Sequence, residues 1–155
     1  MTDAVAKGGT EQIMRTARVI QASPHTLFQL LTSSDAQASW RGRTSRGTLT
    51  GLDIDPRVGG DFRYSMTVSG VEQHASGRIL EISPPHRCVM SWTWTAGTDE
   101  IRDSVVTIEL KNLNDGTCRA VVTQQKLPSR NAAATQAALW SNVLQDLAIH
   151  VTATA

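Results

Sequence analysis

Two runs of alternating residues constrain this chain more than any other feature. Phe62, Tyr64, Met66 and Val68 place apolar side chains at every second position, and Met90, Trp92 and Trp94 do so again. A period of two puts each set on one face of a β-strand. Two neighbouring strands therefore offer bulky aromatic groups to the same side of a curved sheet. The stretch from Asp55 to Trp94 that carries both runs is punctuated for such a sheet. Gly59-Gly60 suits a tight turn with positive φ, Ser69-Gly70 separates two alternating runs as a hairpin turn does, and Pro84-Pro85 marks a corner because proline cannot donate to a ladder.

The flanking sequence completes a pattern. Ile13 to Gln21 alternates and ends before a proline, as a strand does. Ser23-Pro24 is a helix start, with serine as cap and proline at the first helical position. Leu27, Phe28, Leu30 and Leu31 follow at helical spacing. Thr32 to Asp35 breaks that helix and caps a short second one over Ala36 to Trp40. A polar connection, Arg41 to Gly47, leads to a weaker strand over Leu49 to Asp55, where Gly51 marks a bulge. After Trp94, Ala96 to Glu100 is turn-like, and Val106, Ile108 and Leu110 make another strand. Asn114-Asp115-Gly116 is a turn, and Thr117 to Leu127 is the last strand. Ser129 can cap a final helix in which Trp140, Val143, Leu144, Leu147, Ala148 and Val151 form one apolar stripe. About 24 residues at 1.5 Å each give roughly 36 Å, enough to cross a whole sheet. The order is β, two short helices, six strands and one long helix. The expected class is α+β, with a curved antiparallel sheet wrapped around a C-terminal helix. Residues 1–12 are expected to be a flexible tail and residues 13–155 a single domain.

Composition excludes several functions. A formal charge of +1 over 155 residues argues against a nucleic-acid partner, which calls for a clustered basic excess. Arginine outnumbers lysine twelve to three; arginine suits bidentate carboxylate or phosphate contacts, but a high-GC coding bias is the plainer cause. No stretch approaches the ~20 apolar residues of a membrane span, and the N-terminus lacks the apolar run of a signal peptide. Cys88 and Cys118 form no CxxC and are expected to be buried and reduced in a cytoplasmic protein. Gly59-Gly60 lacks the Lys-Ser/Thr of a phosphate loop, and no serine or cysteine has a histidine partner at motif spacing. His86 with Cys88 offers two of the three or four ligands that zinc needs. No metal, cofactor or catalytic residue is therefore expected. Glu72 and His74 share a strand face and are the best acid–base pair available, although an exposed hairpin end is the plainer reading of both.

The segments SPHTLFQLLT, Trp40, DPRVGGDFR, GRILEISPPHRCVMSWTW, the DGT at 115–117, and Trp140 with Leu144 carry a resemblance. Over Arg15 to Val151 the chain resembles the START-like superfamily, also called SRPBCC or the birch-pollen-allergen-like helix-grip fold. Within it, the chain looks like the branch named after the activator of the heat-shock-protein ATPase. The resemblance implies a cavity between sheet and long helix for a small hydrophobic or aromatic molecule. The wall is then expected from Trp40, Phe62, Tyr64, Met66, Ile79, Trp92, Trp94, Trp140 and Leu144. Arg41, where the family often has a second aromatic residue, and Arg57 are expected at the mouth. Members include binding proteins, cyclases or aromatases, and co-chaperone domains, so an enzyme using the same cavity and a stress-response interaction domain are the alternatives. A homodimer is left open.

Magnitude limits what such a cavity can be. An empty apolar void of about 300 Å³ would cost about 7 kcal/mol at ~24 cal/mol per Å³. That rivals the ~5–15 kcal/mol that stabilises a whole domain. The hollow must be wet, collapsed or filled by a ligand.

Overall fold

The structure, a computed structural model, describes residues 11–41 and 47–153. The first ten residues of the expected tail, and Arg43 and Arg46 of the polar connection, lie outside the described residues. In chain order the elements are β1 (Gln12–Ile20), α1 (Pro24–Thr32), α2 (Ser34–Arg41), β2 (Thr48–Ile54), β3 (Asp61–Val68), β4 (Val71–Ser83), β5 (Arg87–Ala96), β6 (Asp99–Asn112), β7 (Cys118–Leu127) and α3 (Arg130–Ala153). The strands form one curved antiparallel sheet in the order β1-β7-β6-β5-β4-β3-β2, with α3 against it, which is the helix-grip fold.

Local chemistry sets these boundaries. Ser23 caps α1 by accepting from the Thr26 N–H at 3.2 Å, with Pro24 in the first turn. Ser33 accepts from the Ala36 N–H at 3.3 Å, which starts α2 two residues before the expected Ala36. Ser69 and Gly70 both have positive φ, 51° and 78°, the requirement of the two-residue turn whose twist matches its strands. The turn between β5 and β6 is shorter than expected: pairing runs to Ala96 and resumes at Asp99, leaving Gly97 and Thr98 between them. Pro84-Pro85 forms the β4–β5 corner through a cis bond, and the expected bulge at Gly51 is a register shift between Leu49 and Gly51.

Inward residues follow the alternation. Phe62, Tyr64, Met90, Trp92, Trp94, Val106, Ile108 and Leu110 are all buried. Two local shifts break the parity and restore it. Asp103, at φ 55°, interrupts the β5–β6 ladder so that Ile101 and Ser104 both face inward. Lys126, at φ 61°, does the same for Gln124 and Leu127. The polar residues caught inside are bonded across three strands. Gln124 Nε2 donates to Ser104 Oγ at 2.9 Å, and the Ser104 hydroxyl donates to the Trp92 carbonyl at 2.8 Å. Helix α3 approaches the sheet most closely at β1 and β7, while α1 packs on β6. The helix therefore leans on one end of the curved sheet.

Gly77 marks the closest approach in the sheet. A Cβ there would run into the Ser91 carbonyl of β5 and stand 2.8 Å from the Phe62 ring, and neither backbone nor packed aromatic can retreat cheaply. Gly77→Ala is expected to cost about 1–3 kcal/mol, lowering the melting temperature by roughly 3–10 °C at this size. An unchanged thermal melt would contradict this account of the β4–β5 contact.

Candidate functional site

Trp92 stands at the centre of the concave face. Its ring lies 5.6 Å from Phe62, 5.8 Å from Tyr64 and 5.1 Å from Trp140 of α3, centroid to centroid. Its indole N–H donates to Gln136 Oε1 of α3 at 3.1 Å. These aromatic groups fill most of the hollow between sheet and helix. What remains beside them is about 30 Å³, room for roughly two waters. Phe62, Trp92, Trp140, Leu31, Ile108 and Gln37 help to line it, with Arg41 and Tyr64 at one side. The inner hollow has collapsed onto its own aromatic residues.

A larger space opens on the far side of Arg41 and Tyr64. It is a groove of about 240 Å³ between α3 and strands β3–β5, lined by Met66, Val68, Gln73 and Trp94 from the sheet and Thr135, Leu139, Asn142, Val143 and Asp146 from the helix. Because α3 leans toward β1 and β7, the β3–β5 end of the sheet is left uncovered along this line.

Arg41 forms the partition between the two spaces, and its position follows from how α2 docks. The last carbonyls of α1 lack partners within that helix. Two of them are taken by side chains of α2: Gln37 Nε2 donates to the Leu31 carbonyl at 2.6 Å, and Trp40 Nε1 to that of Leu30 at 2.9 Å. Residues 37, 40 and 41 share one helix face, so the docking that buries Gln37 and Trp40 also turns Arg41 inward. Its guanidinium lies 4.5 Å over the Tyr64 ring and 5.4 Å from that of Trp40, and donates to Gln37 Oε1 at 3.3 Å. Burial pulls it below the ordinary arginine value, with Tyr64 and Asp146 pulling the other way. Burial likewise pushes the Tyr64 phenol up, against the opposing pull of Arg41.

The residues singled out from sequence are thus distributed over several places. Tyr64, Met66 and Trp94 line the outer groove, and Phe62, Trp92, Trp140 and again Tyr64 line the inner space. Ile79 and Leu144 are fully buried and line neither, and Trp40 packs beside Arg41. Arg41 is 8% exposed, a buried divider rather than a rim residue. Arg57 stands on the exposed loop before β3, paired with Asp55 at 2.8 Å, because the short separation from Asp55 lets the two side chains meet away from the sheet. Glu72 and His74 are exposed, 3.3 Å apart at the hairpin end. Cys88 is buried, its thiol pushed up to about 11 by burial, and among the described residues no group of three or more His, Cys, Asp or Glu gathers for a metal. No helix among the described residues is long and apolar enough to cross a membrane. Sequence reasoning missed Val68, Gln73 and the groove flank of α3. Val143 belongs to the apolar stripe of that helix, and residues 135, 139, 142 and 146 run at helical spacing along its edge, but the spacing alone does not say which edge faces open space.

Tyr64 is the sole tyrosine, so its ionisation can be read without interference. Its tyrosinate absorbance is expected to appear only above the ordinary value of 10.0. Folding favours the neutral phenol, so this contribution to stability is complete below the unfolded pKa and is lost as pH rises through the folded one. Absorbance rising at or below 10.0 in folded protein would contradict the burial. Trp92→Ala is expected to cost about 3–5 kcal/mol in urea unfolding, and a loss below about 1 kcal/mol, the ordinary effect of a substitution, would deny it the central place.

Comparison with known proteins places this architecture. No curated protein matches the sequence. Among solved structures, an AHSA1 protein from Silicibacter pomeroyi superposes with a TM-score of 0.77 at 19% identity, over 93% of this chain and 100% of that one. A protein from Chromobacterium violaceum gives 0.72 at 25% identity, over 88% and 95%. An HSP90 activator from Plasmodium falciparum gives 0.54 at 22% identity, over 75% and 74%. These likenesses are likenesses of fold. The family model described as Activator of Hsp90 ATPase homolog 1-like protein matches residues 21–152. That match spans six of the seven strands, α1, α2 and all but the last residue of α3, and the chain belongs to the Activator of Hsp90 ATPase homolog 1-like family.

Proposed function

We propose that this chain binds a small hydrophobic or aromatic molecule between its curved sheet and C-terminal helix, in the groove on the outer side of Arg41 and Tyr64. The observation that carries this reading is the groove itself: about 240 Å³, walled by Met66, Val68, Trp94, Leu139 and Val143, with polar groups at its inner end. Ligand pockets of about 300–1,000 Å³ are typically apolar with a few convergent polar groups, so a groove just below that range suits a ligand of one or two rings. Trp94 supplies a flat aromatic wall, and Met66 an adaptable one. Binding in the cytoplasm, without a nucleic-acid or membrane partner, belongs to the same proposal.

The enzyme alternative has less support. Of the three groups that could move a proton, Tyr64 alone lines the groove, while Glu72 and His74 stand exposed at the hairpin. A co-chaperone-like role rests on the family and on the Plasmodium falciparum likeness. It predicts that capture of a chaperone persists when the groove is blocked.

A neutral aromatic fluorophore, N-phenyl-1-naphthylamine, is expected to bind saturably, to quench tryptophan emission by energy transfer, and to raise the melting temperature by mass action. Leu139→Arg, which puts a charge on the groove wall at a half-buried position, is expected to weaken that binding about tenfold or more, equivalent to ~1.4 kcal/mol, with an unchanged melt in the absence of ligand. No saturable binding to the native protein, or equal affinity in the variant, would overturn the assignment.

A further inference from the structure

The buried polar atoms that lack a partner are unevenly divided between donors and acceptors. Among the described residues, four buried side-chain polar atoms lack a hydrogen-bond partner, and three of them are donors: Trp94 Nε1, Trp140 Nε1 and Gln136 Nε2. The fourth is the acceptor Gln124 Oε1. Trp94 lines the outer groove and Trp140 the inner space. Indole can donate and cannot accept, so neither can be satisfied by a ligand's N–H or O–H proton. Between them lies Arg41, a permanent cation on the walls of both spaces.

Taking a cation out of water is costly unless opposite charge and acceptors surround it. Asp146 lines the outer groove and attracts Arg41, but it is half-exposed, where water weakens its field. Tyr64 offers a ring face and its phenol oxygen as an acceptor, and Gln37 offers one neutral oxygen. Burial still outweighs these contributions, since the guanidinium is held below its ordinary value despite them. On the rim of the inner space, Asp53 and Arg63 are both exposed and of opposite sign, so neither changes this balance.

On the reading of the groove given above, we propose that its ligand is an apolar organic acid. The aromatic or aliphatic body lies along Met66, Trp94 and Leu139, and the anionic oxygens reach the Arg41 guanidinium. A planar guanidinium meets a carboxylate through two parallel hydrogen bonds and has five N–H groups, so it can serve Gln37 and a carboxylate together. The ligand thereby brings a carboxylate into direct contact with the guanidinium, beside the neutral oxygens of Tyr64 and Gln37. Asp146, at the solvent side, sets a limit: the acid must reach past it to Arg41, which favours a single head group on a slim body.

The test compares three molecules with one body and different heads: 2-naphthoate, 2-naphthamide and 2-naphthylmethylamine, each displacing N-phenyl-1-naphthylamine from the native full-length chain at neutral pH. A charge-assisted hydrogen bond contributes about 1.5–3 kcal/mol, so the acid is expected to bind at least about tenfold tighter than the amide and the amine weakest. In Arg41→Met, which keeps the length of the stem, the acid-to-amide ratio is expected to fall to about one; in Arg41→Lys it is expected to stay well above one. Saturable binding of the neutral fluorophore with equal displacement by acid and amide, or with the amine best, overturns the organic-acid inference and leaves the groove standing. Absence of saturable binding by any of the four probes overturns both. Because the native protein alone decides between acid and amide, the outcome does not depend on either Arg41 variant folding.

Discussion

The contact between Trp92 and helix α3 is the constraint on which the rest of this structure depends. One helix cannot by its own bulk fill the hollow of a seven-stranded curved sheet, and an empty apolar void of ligand size would consume much of the stability of a domain. Trp92 resolves this from the sheet side. It reaches the helix with both its ring, tilted against Trp140, and its N–H, held by Gln136, while Phe62 and Tyr64 close around it. Its own carbonyl is tied through Ser104 to Gln124, so strands β5, β6 and β7 are locked at the same point. The result is a hollow that is filled at the centre and open at one edge. Ligand space in this chain is displaced outward, to where the helix leans away from β3–β5.

Arg41 is the second consequence of packing rather than of surface chemistry. Helix α2 is held to α1 because its side chains satisfy carbonyls that α1 leaves exposed at its end. That same docking commits the residue one turn beyond Gln37 to the interior. A buried guanidinium stacked on Tyr64 and Trp40 then becomes the polar end of an otherwise apolar groove. Structural necessity at a helix junction and a capacity for binding are here the same arrangement, which is why a packing residue can also be a recognition residue.

Much of this was legible in the chain. The alternation at 62–68 and 90–94 set the parity of β3 and β5 correctly, because register is strongly specified where one face is buried. The turns at Ser69-Gly70 and Asn114-Asp115-Gly116, the caps at Ser23 and Ser129, and the stripe of the last helix carry local signals of short range. What was not legible is of longer range. Arg41 reads as a solvated cation until the docking of α2 is known. The bulges at Asp103 and Lys126 bring Ser104 and Gln124 inside, and nothing in a linear pattern marks a bulge without a glycine. The choice between the two flanks of α3 was hidden too. Trp140 and Leu144 are the conspicuous residues of that helix, but the line of Leu139 and Val143 faces the open edge.

The central claim is that the groove beside α3, and neither the collapsed aromatic centre nor an outer surface, receives the ligand. Methyl NMR with selectively labelled methionine, leucine and valine tests it most directly during a titration with N-phenyl-1-naphthylamine. The account predicts that the methyl signals of Met66, Leu139 and Val143 shift together and saturate at one affinity, while those of Leu127 and Val122, buried in the core, stay in place. Shifts confined to exposed methyls such as Val19 and Val58, or no saturable shift at all, would contradict it.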